Sequence, residues 1–182
     1  MSKTLLYITF TISLLTIFPK NIAAQFVADH SATINISINK QNSDLRKLYT
    51  IKRAIKIILI KNNSPLINNI PSFISTCLKY NLDCYFLPAI AGLESSYGKY
   101  IYPNSYNPFG WGGGYINFSS WDEAIEQVGQ KIKENYIDKG LTDIYSIGKI
   151  YSNSPTWAER ISLIINNFKI IEQQQFLLLE TN

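Results

Sequence analysis

The chain has 182 residues, of which 46% are hydrophobic and 16% are charged, a balance that predicts one compact domain with a sizeable core and excludes a disordered chain. Two of its 17 basic residues, Lys3 and Lys20, belong to an N-terminal leader, and without them the formal net charge falls from +4 to +2. Such a small charge excludes a dedicated nucleic-acid-binding protein.

The leader, residues 1–24, has the layout of a secretory signal peptide. Lys3 gives a basic start, residues 5–18 are an apolar run, and Pro19 and the small residues Ala23 and Ala24 follow. The run of about 14 residues is shorter than the ~20 that a membrane-spanning helix needs. We therefore expect export to the periplasm, the cell wall or the extracellular space, with membrane contact only through the leader before cleavage. An uncleaved anchor is the alternative.

Residues 25–43 are polar and lack a sustained hydrophobic period, which predicts a flexible lead-in. This segment holds His30, the only histidine, which excludes catalysis by a Ser-His-Asp or Cys-His arrangement. The first helix is predicted over residues 45–60, where apolar residues recur at three- and four-residue steps. Its basic face is typical of a solvated surface, or of loose attraction to anionic wall polymers or phospholipid.

The two cysteines, Cys77 and Cys84, flank a predicted helix break at residues 81–82. Export favours a disulfide between them, although the bridge requires the chain to turn back sharply between two helices. Two small buried thiols are the alternative. Without a nearby histidine the pair does not form a metal site, and we expect no metal and no other cofactor.

Five further helices are predicted toward the C-terminus. A second helix is predicted over residues 71–80, and a third over residues 84–97, capped by Asp83 and ended by Gly98. A fourth begins at a capping box formed by Ser120 and Glu123. Two more cover residues 142–151 and 154–173, the last opened by Ser154 as cap. Only residues 115–118 indicate a strand, so the predicted class is mainly α, with a short β-hairpin or a glycine-rich loop.

Glu94 continues the apolar stripe of the third helix and lies in its last turn. Helix carbonyls and apolar neighbours both disfavour an ionised carboxylate there, and a protonated glutamate is what a general acid needs to protonate a glycosidic oxygen. A glutamate that only bonds local amides is the alternative. The segment YNPFGWGGG suits a backbone that lies close under a sugar ring, or else a hairpin with buried aromatics.

Four segments in order, LPAIAGLESSYG, NPFGWG, FSSWDEAIEQV and IYSNSPTWAERI, resemble motifs of the lysozyme-like bacterial glucosaminidases and lytic transglycosylases. The resemblance covers residues 64–168. It implies an α+β lysozyme-like domain over residues 44–175, followed by a tail at 176–182. It also implies an exported, monomeric enzyme that cleaves the glycan strands of peptidoglycan.

The resemblance also implies roles for individual residues. Glu94 corresponds to the catalytic acid, and Tyr151 to a tyrosine that holds the N-acetyl group of the substrate. The implied substrate-binding residues are Ser95, Asn107, Phe109, Gly110, Trp111 and Trp157. The sequence departs from the family at Ser154, which stands where an aspartate is usual.

A second departure concerns the reaction. The segment WGGGYINFSS has no acid, whereas many of these glucosaminidases carry a second carboxylate there, and Asp122, Glu123 and Glu126 begin a helix where negative charge is structurally favourable. A lytic transglycosylase-like reaction that leaves anhydro ends is therefore favoured over hydrolysis by a β-N-acetylglucosaminidase. The sequence is also compatible with a non-catalytic peptidoglycan-binding module and with an exported helical partner protein.

Overall fold

The computed structural model describes residues 22–181, with side chains from residue 36 onward. The predicted leader lies outside the described residues up to residue 21. The chain divides into two units, Met1–Asn42 and Ser43–Asn182, and the described part of the first is helical. No helix in the described part of the chain combines the length and the apolar character needed to cross a bilayer.

Six α-helices form most of the described structure, and their bounds are α1 (Ile22–Lys61), α2 (Ile70–Tyr80), α3 (Phe86–Ser95), α4 (Trp121–Asn135), α5 (Ile144–Tyr151) and α6 (Trp157–Glu180). Two short 3-10 helices cover Pro65–Asn69 and Ile137–Lys139. The predicted mainly helical class is confirmed. The hairpin is not present within residues 22–181, because residues 115–118 lie in the glycine-rich loop between α3 and α4.

Two helices are longer than the sequence predicted. Helix α1 begins at Ile22, so residues 25–43, predicted as a flexible lead-in, are helical. Helix α6 continues to Glu180, through most of the predicted tail. Hydrophobic periodicity marks only the part of a helix that is buried, and among the α1 side chains described from residue 36 onward the buried ones begin at Thr50. The polar remainder carries no such signal.

The core lies among helices that cross closely. Helix α2 packs against α4, and α6 packs against both α3 and α5. Gly129 permits the first contact, because a Cβ atom there would lie 2.2 Å from Cγ2 of Thr76. Gly148 permits the contact of α5 with α6, where a Cβ atom would lie 3.0 Å from the ring of Trp157. These two glycines let α4 approach α2, and α5 approach α6, closely enough to bury apolar side chains between them.

The carboxylates at the start of α4 have structural partners. Ser120 caps the helix by accepting from the Glu123 amide, as predicted, but the Glu123 carboxylate reaches back to Ser119 rather than to Ser120. Asp122 accepts hydrogen bonds from Ser72 and Asn69, which lower its pKa. The partners Ser72 and Asn69 lie in helical segments, and Ser119 lies just before α4. This agrees with the structural role that the sequence favoured for these acids.

A disulfide joins Cys77 to Cys84, with their Cα atoms 5.0 Å apart. The required sharp turn is made by Asn81, which adopts a left-handed conformation at φ 52° after the end of α2. Asp83 then accepts a hydrogen bond from the Tyr85 amide just before α3 begins. The bridge therefore fixes the angle at which α3 leaves α2.

Helix starts and stops differ from the predicted ones by a few residues. Helix α6 begins at Trp157, and its amide bonds to the carbonyl of Ser154, which forms a turn before the helix instead of its cap. Helix α3 ends at Ser95, three residues before the predicted stop at Gly98. Terminal turns depend on loop contacts that sequence patterns do not contain.

Candidate functional site

The loop between α3 and α4, residues 96–120, carries most of the candidate site. Two buried polar side chains hold it in place. Ser95 has its hydroxyl 2.8 Å from the Pro108 carbonyl and accepts a hydrogen bond from the Gly98 amide. Asn107 donates to the carbonyls of Trp111 and Ile116 and accepts from the Trp111 amide. The Asn107 side-chain amide thus provides backbone hydrogen bonds that a partner strand would otherwise supply to this segment.

Left-handed backbone conformations at residues other than glycine concentrate in the first part of this loop. Ser96, Tyr97, Asn104 and Tyr106 have φ values of 50°, 61°, 61° and 48°, and Gly98 follows Tyr97 at 83°. A bulky residue in this region is strained and persists only where its surroundings hold it. The Tyr97 ring is held against Gly92, where a Cβ atom would lie 2.7 Å from it. Packing therefore imposes the path of the chain just after Glu94.

Glu94 is the acidic residue at the centre of the site. Its Oε1 accepts a hydrogen bond of 2.7 Å from the indole Nε1 of Trp157. Its Oε2 lies close to Gly110, where a Cβ atom would be 3.2 Å away. The sequence placed Glu94 on the buried stripe of α3, and this was wrong: the side chain is exposed. Apolar neighbours therefore do not enclose the carboxylate, and a ligand can reach it.

An aromatic column stands behind the carboxylate. The Tyr151 ring stacks on Trp157 with centroids 4.7 Å apart, and Trp111 lies on Tyr151 at 5.7 Å. Phe86 meets the Trp157 ring edge-on at 6.4 Å. Trp157 itself is 2% exposed, so its ring cannot turn and its N–H stays directed at Glu94. The packing of these rings between helices thus holds the Glu94 carboxylate in one orientation.

The hydroxyl of Tyr151 ties the column to the loop, because it donates a hydrogen bond of 2.8 Å to the Phe109 carbonyl. Burial raises the pKa of this hydroxyl well above its ordinary value, and the nearby Glu94 carboxylate raises it further. Tyr151 therefore remains neutral. Its oxygen keeps lone pairs that can accept a hydrogen bond from an amide N–H.

Glu94 lines a groove with a volume of about 630 Å³. Its lining consists of Glu94, Ser95, Lys99, Tyr100, Ile101, Tyr102, Asn107, Gly110, Gly113 and Gly114. This lining contains one carboxylate, one cation, two tyrosines and three glycines. The glycines expose backbone amides and carbonyls, so the surface of the groove is polar. Glu94 is the one carboxylate in its lining.

The predicted site residues meet around this groove, but several of them cannot touch a ligand through their side chains. Phe109 and Trp157 are fully buried, and Ser95 and Asn107 use their polar atoms to hold the loop. Gly110 and Trp111 are partly exposed. Of the residues implied as substrate-binding, Ser95, Asn107 and Gly110 belong to the groove lining, whereas Phe109, Trp111 and Trp157 do not. Tyr151 is also absent from the lining.

Sequence reasoning missed the tyrosines at the groove's rim. Tyr102 and Tyr115 stack with centroids 5.0 Å apart and expose 48% and 75% of their surface. Gly114 permits this, because a Cβ atom there would lie 3.1 Å from the Tyr102 ring. Tyr100 is exposed beside them. The signal was present in the sequence as a run of tyrosines over residues 97–106, next to the glycines of the loop.

No cluster of three metal-binding side chains occurs among residues 36–181. No protein-family model matches the chain, and no curated protein sequence matches it.

Proposed function

We propose that this protein is an exported enzyme that cleaves the β-1,4 glycan strands of peptidoglycan, with Glu94 as the general acid. The observation that carries the proposal is the placement of Glu94. A single glutamate at the end of a helix, oriented by a buried indole and exposed in a groove, suits proton transfer to a glycosidic oxygen. A buried structural glutamate would have its oxygens satisfied by local amides instead.

Within this proposal, residues 44–175 form a lysozyme-like domain. The mainly helical structure supports it, as does the position of Glu94 one residue before the end of α3. In such a domain the 96–120 loop would take the place of the hairpin. It forms one wall of the groove through Gly110, Gly113 and Gly114 without pairing strands.

The groove's dimensions and chemistry suit a chain of sugar rings. Ligand sites of about 300–1,000 Å³ are typical for small molecules, and this groove falls within that range. The exposed faces of Tyr102 and Tyr115 can receive the C–H face of a sugar ring, whose positive edge is attracted to the negative face of an aromatic ring. Backbone groups of the glycines can bond the sugar hydroxyls.

The absence of a second carboxylate in the groove lining favours an intramolecular reaction. Glu94 donates its proton to the oxygen of the scissile bond, and the bond between C1 of one sugar and that oxygen breaks. The C6 hydroxyl oxygen of the same sugar then bonds to C1, and its proton returns to Glu94. No water is consumed, and attack within one sugar ring carries little translational entropy cost. The products are a free 4-hydroxyl end and a 1,6-anhydro end.

Tyr151 supports the sugar that bears the scissile bond. Tyr151 lies outside the groove lining, and its hydroxyl donates to the Phe109 carbonyl. Towards a substrate that reaches it, the oxygen would therefore act as an acceptor for the N–H of an N-acetyl amide. Both N-acetylglucosamine and N-acetylmuramic acid carry this amide. The bond would hold the ring while its C6 hydroxyl reaches C1.

The deciding experiment compares Glu94→Gln with Glu159→Gln, because Glu159 is an exposed glutamate on α6 that is absent from the groove lining. Purified sacculi are incubated with each variant, and the loss of turbidity is followed. Glu94→Gln keeps the size of the side chain but cannot donate the proton, so clearing should stop while the thermal unfolding curve stays the same. Full clearing by Glu94→Gln would refute the proposal.

Mass spectrometry of the soluble products separates the two chemical routes. Anhydro-muramoyl ends support the lytic reaction, whereas hydrolysis adds one water to each new end. Reducing N-acetylglucosamine ends would establish a β-N-acetylglucosaminidase instead. Binding to sacculi without any release of fragments would identify a non-catalytic peptidoglycan-binding module.

A further inference from the structure

Lys99 is the only positively charged residue in the lining of the groove that holds Glu94. Its side chain is exposed, and its Nζ lies 6.0 Å from the centre of the Tyr100 ring. No ion pair to Lys99 occurs among the residues that the structure describes, whereas Lys79, Lys131, Lys133 and Lys169 each pair with a carboxylate. The groove thus presents one cation whose charge the described part of the protein does not balance.

We propose that Lys99 selects for glycans that carry carboxylates and against neutral ones. This inference rests on the proposed function and adds its substrate preference. A neutral sugar chain offers an ammonium group only hydroxyl and acetyl oxygens, which accept an ordinary hydrogen bond without charge pairing. A glycan whose alternate sugars carry carboxylates, on a lactyl group or on an attached peptide, gains a charge-assisted hydrogen bond.

The position of Lys99 in the chain supports a fixed role for its ammonium group. It follows directly after the left-handed run at Ser96, Tyr97 and Gly98, whose path is held by packing. The Tyr97 carbonyl accepts a hydrogen bond of 2.7 Å from Ser64, and Gly98 lies against Leu66 and Pro65. The Cα of Lys99 is therefore anchored, and the side chain extends into the groove from a rigid base.

The electrostatics of the groove make the effect selective. Glu94 is the only other charged residue of the lining, and in the Glu94→Gln variant used for the test Lys99 is the sole formal charge there. A carboxylate placed beside Lys99 then meets a net positive site. An exposed ion pair is weak and is screened by salt, so the preference should be clearest at low ionic strength.

The test measures binding by the full chain in the Glu94→Gln background, so that no ligand is cleaved. Three ligands are compared by calorimetry at low salt: neutral chitohexaose, soluble glycan strands stripped of peptides by an amidase, and soluble strands that keep their peptides. The stripped strands expose lactyl carboxylates, and the peptide-bearing strands expose peptide carboxylates. The second and third ligands therefore separate the two sources of charge.

Replacing Lys99 by glutamine should weaken binding of at least one carboxylate-bearing ligand about five-fold and leave chitohexaose unchanged. Lys99→Arg should keep most of the preference. Lys139→Gln is the matched control, because Lys139 is exposed and lies outside the groove lining. Equal weakening for all three ligands, or none for either charged ligand, would overturn the inference. A chain that prefers charged glycans but never cleaves them would refute the proposed enzyme and leave the selectivity intact.

Discussion

The indole Nε1 of Trp157 donates a hydrogen bond of 2.7 Å to Oε1 of Glu94, although 63 positions separate the two residues in the chain. Glu94 lies near the end of α3, and Trp157 is the first residue of α6. The packing of α3 against α6 brings them together. The bond leaves one carboxylate oxygen facing Gly110 and the groove, so the orientation of the candidate acid depends on an interface between two helices.

Trp157→Phe removes this donor and keeps an aromatic ring in the column. We expect kcat on soluble glycan strands to fall about ten- to a hundred-fold, because a freed carboxylate samples unproductive positions. KM should change little. The smaller ring should also lower the free energy of unfolding by about 1–2 kcal/mol.

Trp121→Phe is the control for this change, since Trp121 is partly buried but packs on Tyr106, without a hydrogen bond to Glu94. Both variants are assayed for kcat, KM and urea unfolding. An equal loss of kcat in the two variants would mean that general destabilisation, and not the bond to Glu94, accounts for the effect.

Gly110→Ala should affect both the backbone and the carboxylate. Gly110 has φ 63°, and an alanine Cβ atom would lie 3.2 Å from Oε2 of Glu94. Gly140 has φ 88° with nothing within 4 Å of such an atom, so Gly140→Ala carries the backbone cost alone. We expect each variant to lose about 1 kcal/mol of unfolding free energy and only Gly110→Ala to lose activity. Full activity in Gly110→Ala would show that Glu94 tolerates displacement.

Tyr151→Phe tests whether this tyrosine titrates during the reaction. Burial and the neighbouring charge of Glu94 raise the pKa of Tyr151, so its hydroxyl should stay protonated across the alkaline range. The pH–activity profile should therefore keep the same alkaline limb in the variant, at a lower plateau. Unfolding free energy should fall by about 1 kcal/mol, because the Phe109 carbonyl loses its donor. An alkaline limb that disappears in Tyr151→Phe would contradict this prediction.

Replacing Cys77 and Cys84 together by serine should lower the free energy of unfolding by about 2–3 kcal/mol. The disulfide closes a short loop, and its removal gives the unfolded chain more conformations. Urea unfolding of the double variant, compared with the oxidised and the reduced native protein, measures this difference. The double variant and the reduced protein should agree, and an unchanged urea midpoint in both would show that the bridge adds no stability.

The fold should become less stable in acid, because the stabilising contribution of the Glu126 carboxylate is lost there. A hydrogen bond from Lys79 is the main cause that lowers the pKa of Glu126 below its ordinary value of 4.5, and bonds from Tyr80 and Thr76 lower it further. A carboxyl group with a lower pKa in the folded state stabilises the fold above its ordinary pKa, and this contribution is lost as the pH falls through the folded value.

Glu126→Gln should therefore reduce stability at neutral pH and make thermal unfolding depend less on pH between about pH 5 and pH 3. Glu159→Gln serves as the control because Glu159 is exposed and makes no ion pair among the described residues. Parallel pH profiles for the native chain and Glu126→Gln would contradict the assigned role of this carboxylate.

Local patterns in the sequence determined the helical class and several element boundaries. The spacing of apolar residues predicted both ends of α2 within one residue, and Ser120 was identified as the cap of α4, although the predicted stop of that helix at Gly140 lies beyond its end at Asn135. These features depend on residues three or four positions apart, which a helix brings together whatever the rest of the chain does. Glu94 and the glycine-rich loop were also singled out from local sequence, because their residue types are unusual at the end of an apolar helix.

Only the tertiary structure decided which residues meet. Periodicity placed Glu94 among buried residues, but the path of the 96–120 loop leaves its side chain exposed. Trp157 was expected to contact the substrate, yet the crossing of α3 and α6 buries its ring and directs its N–H at Glu94. The polar length of α1 carried no hydrophobic period and was missed. Such contacts depend on helix crossing angles and loop paths, which the packing of the whole chain sets and no short stretch of sequence contains.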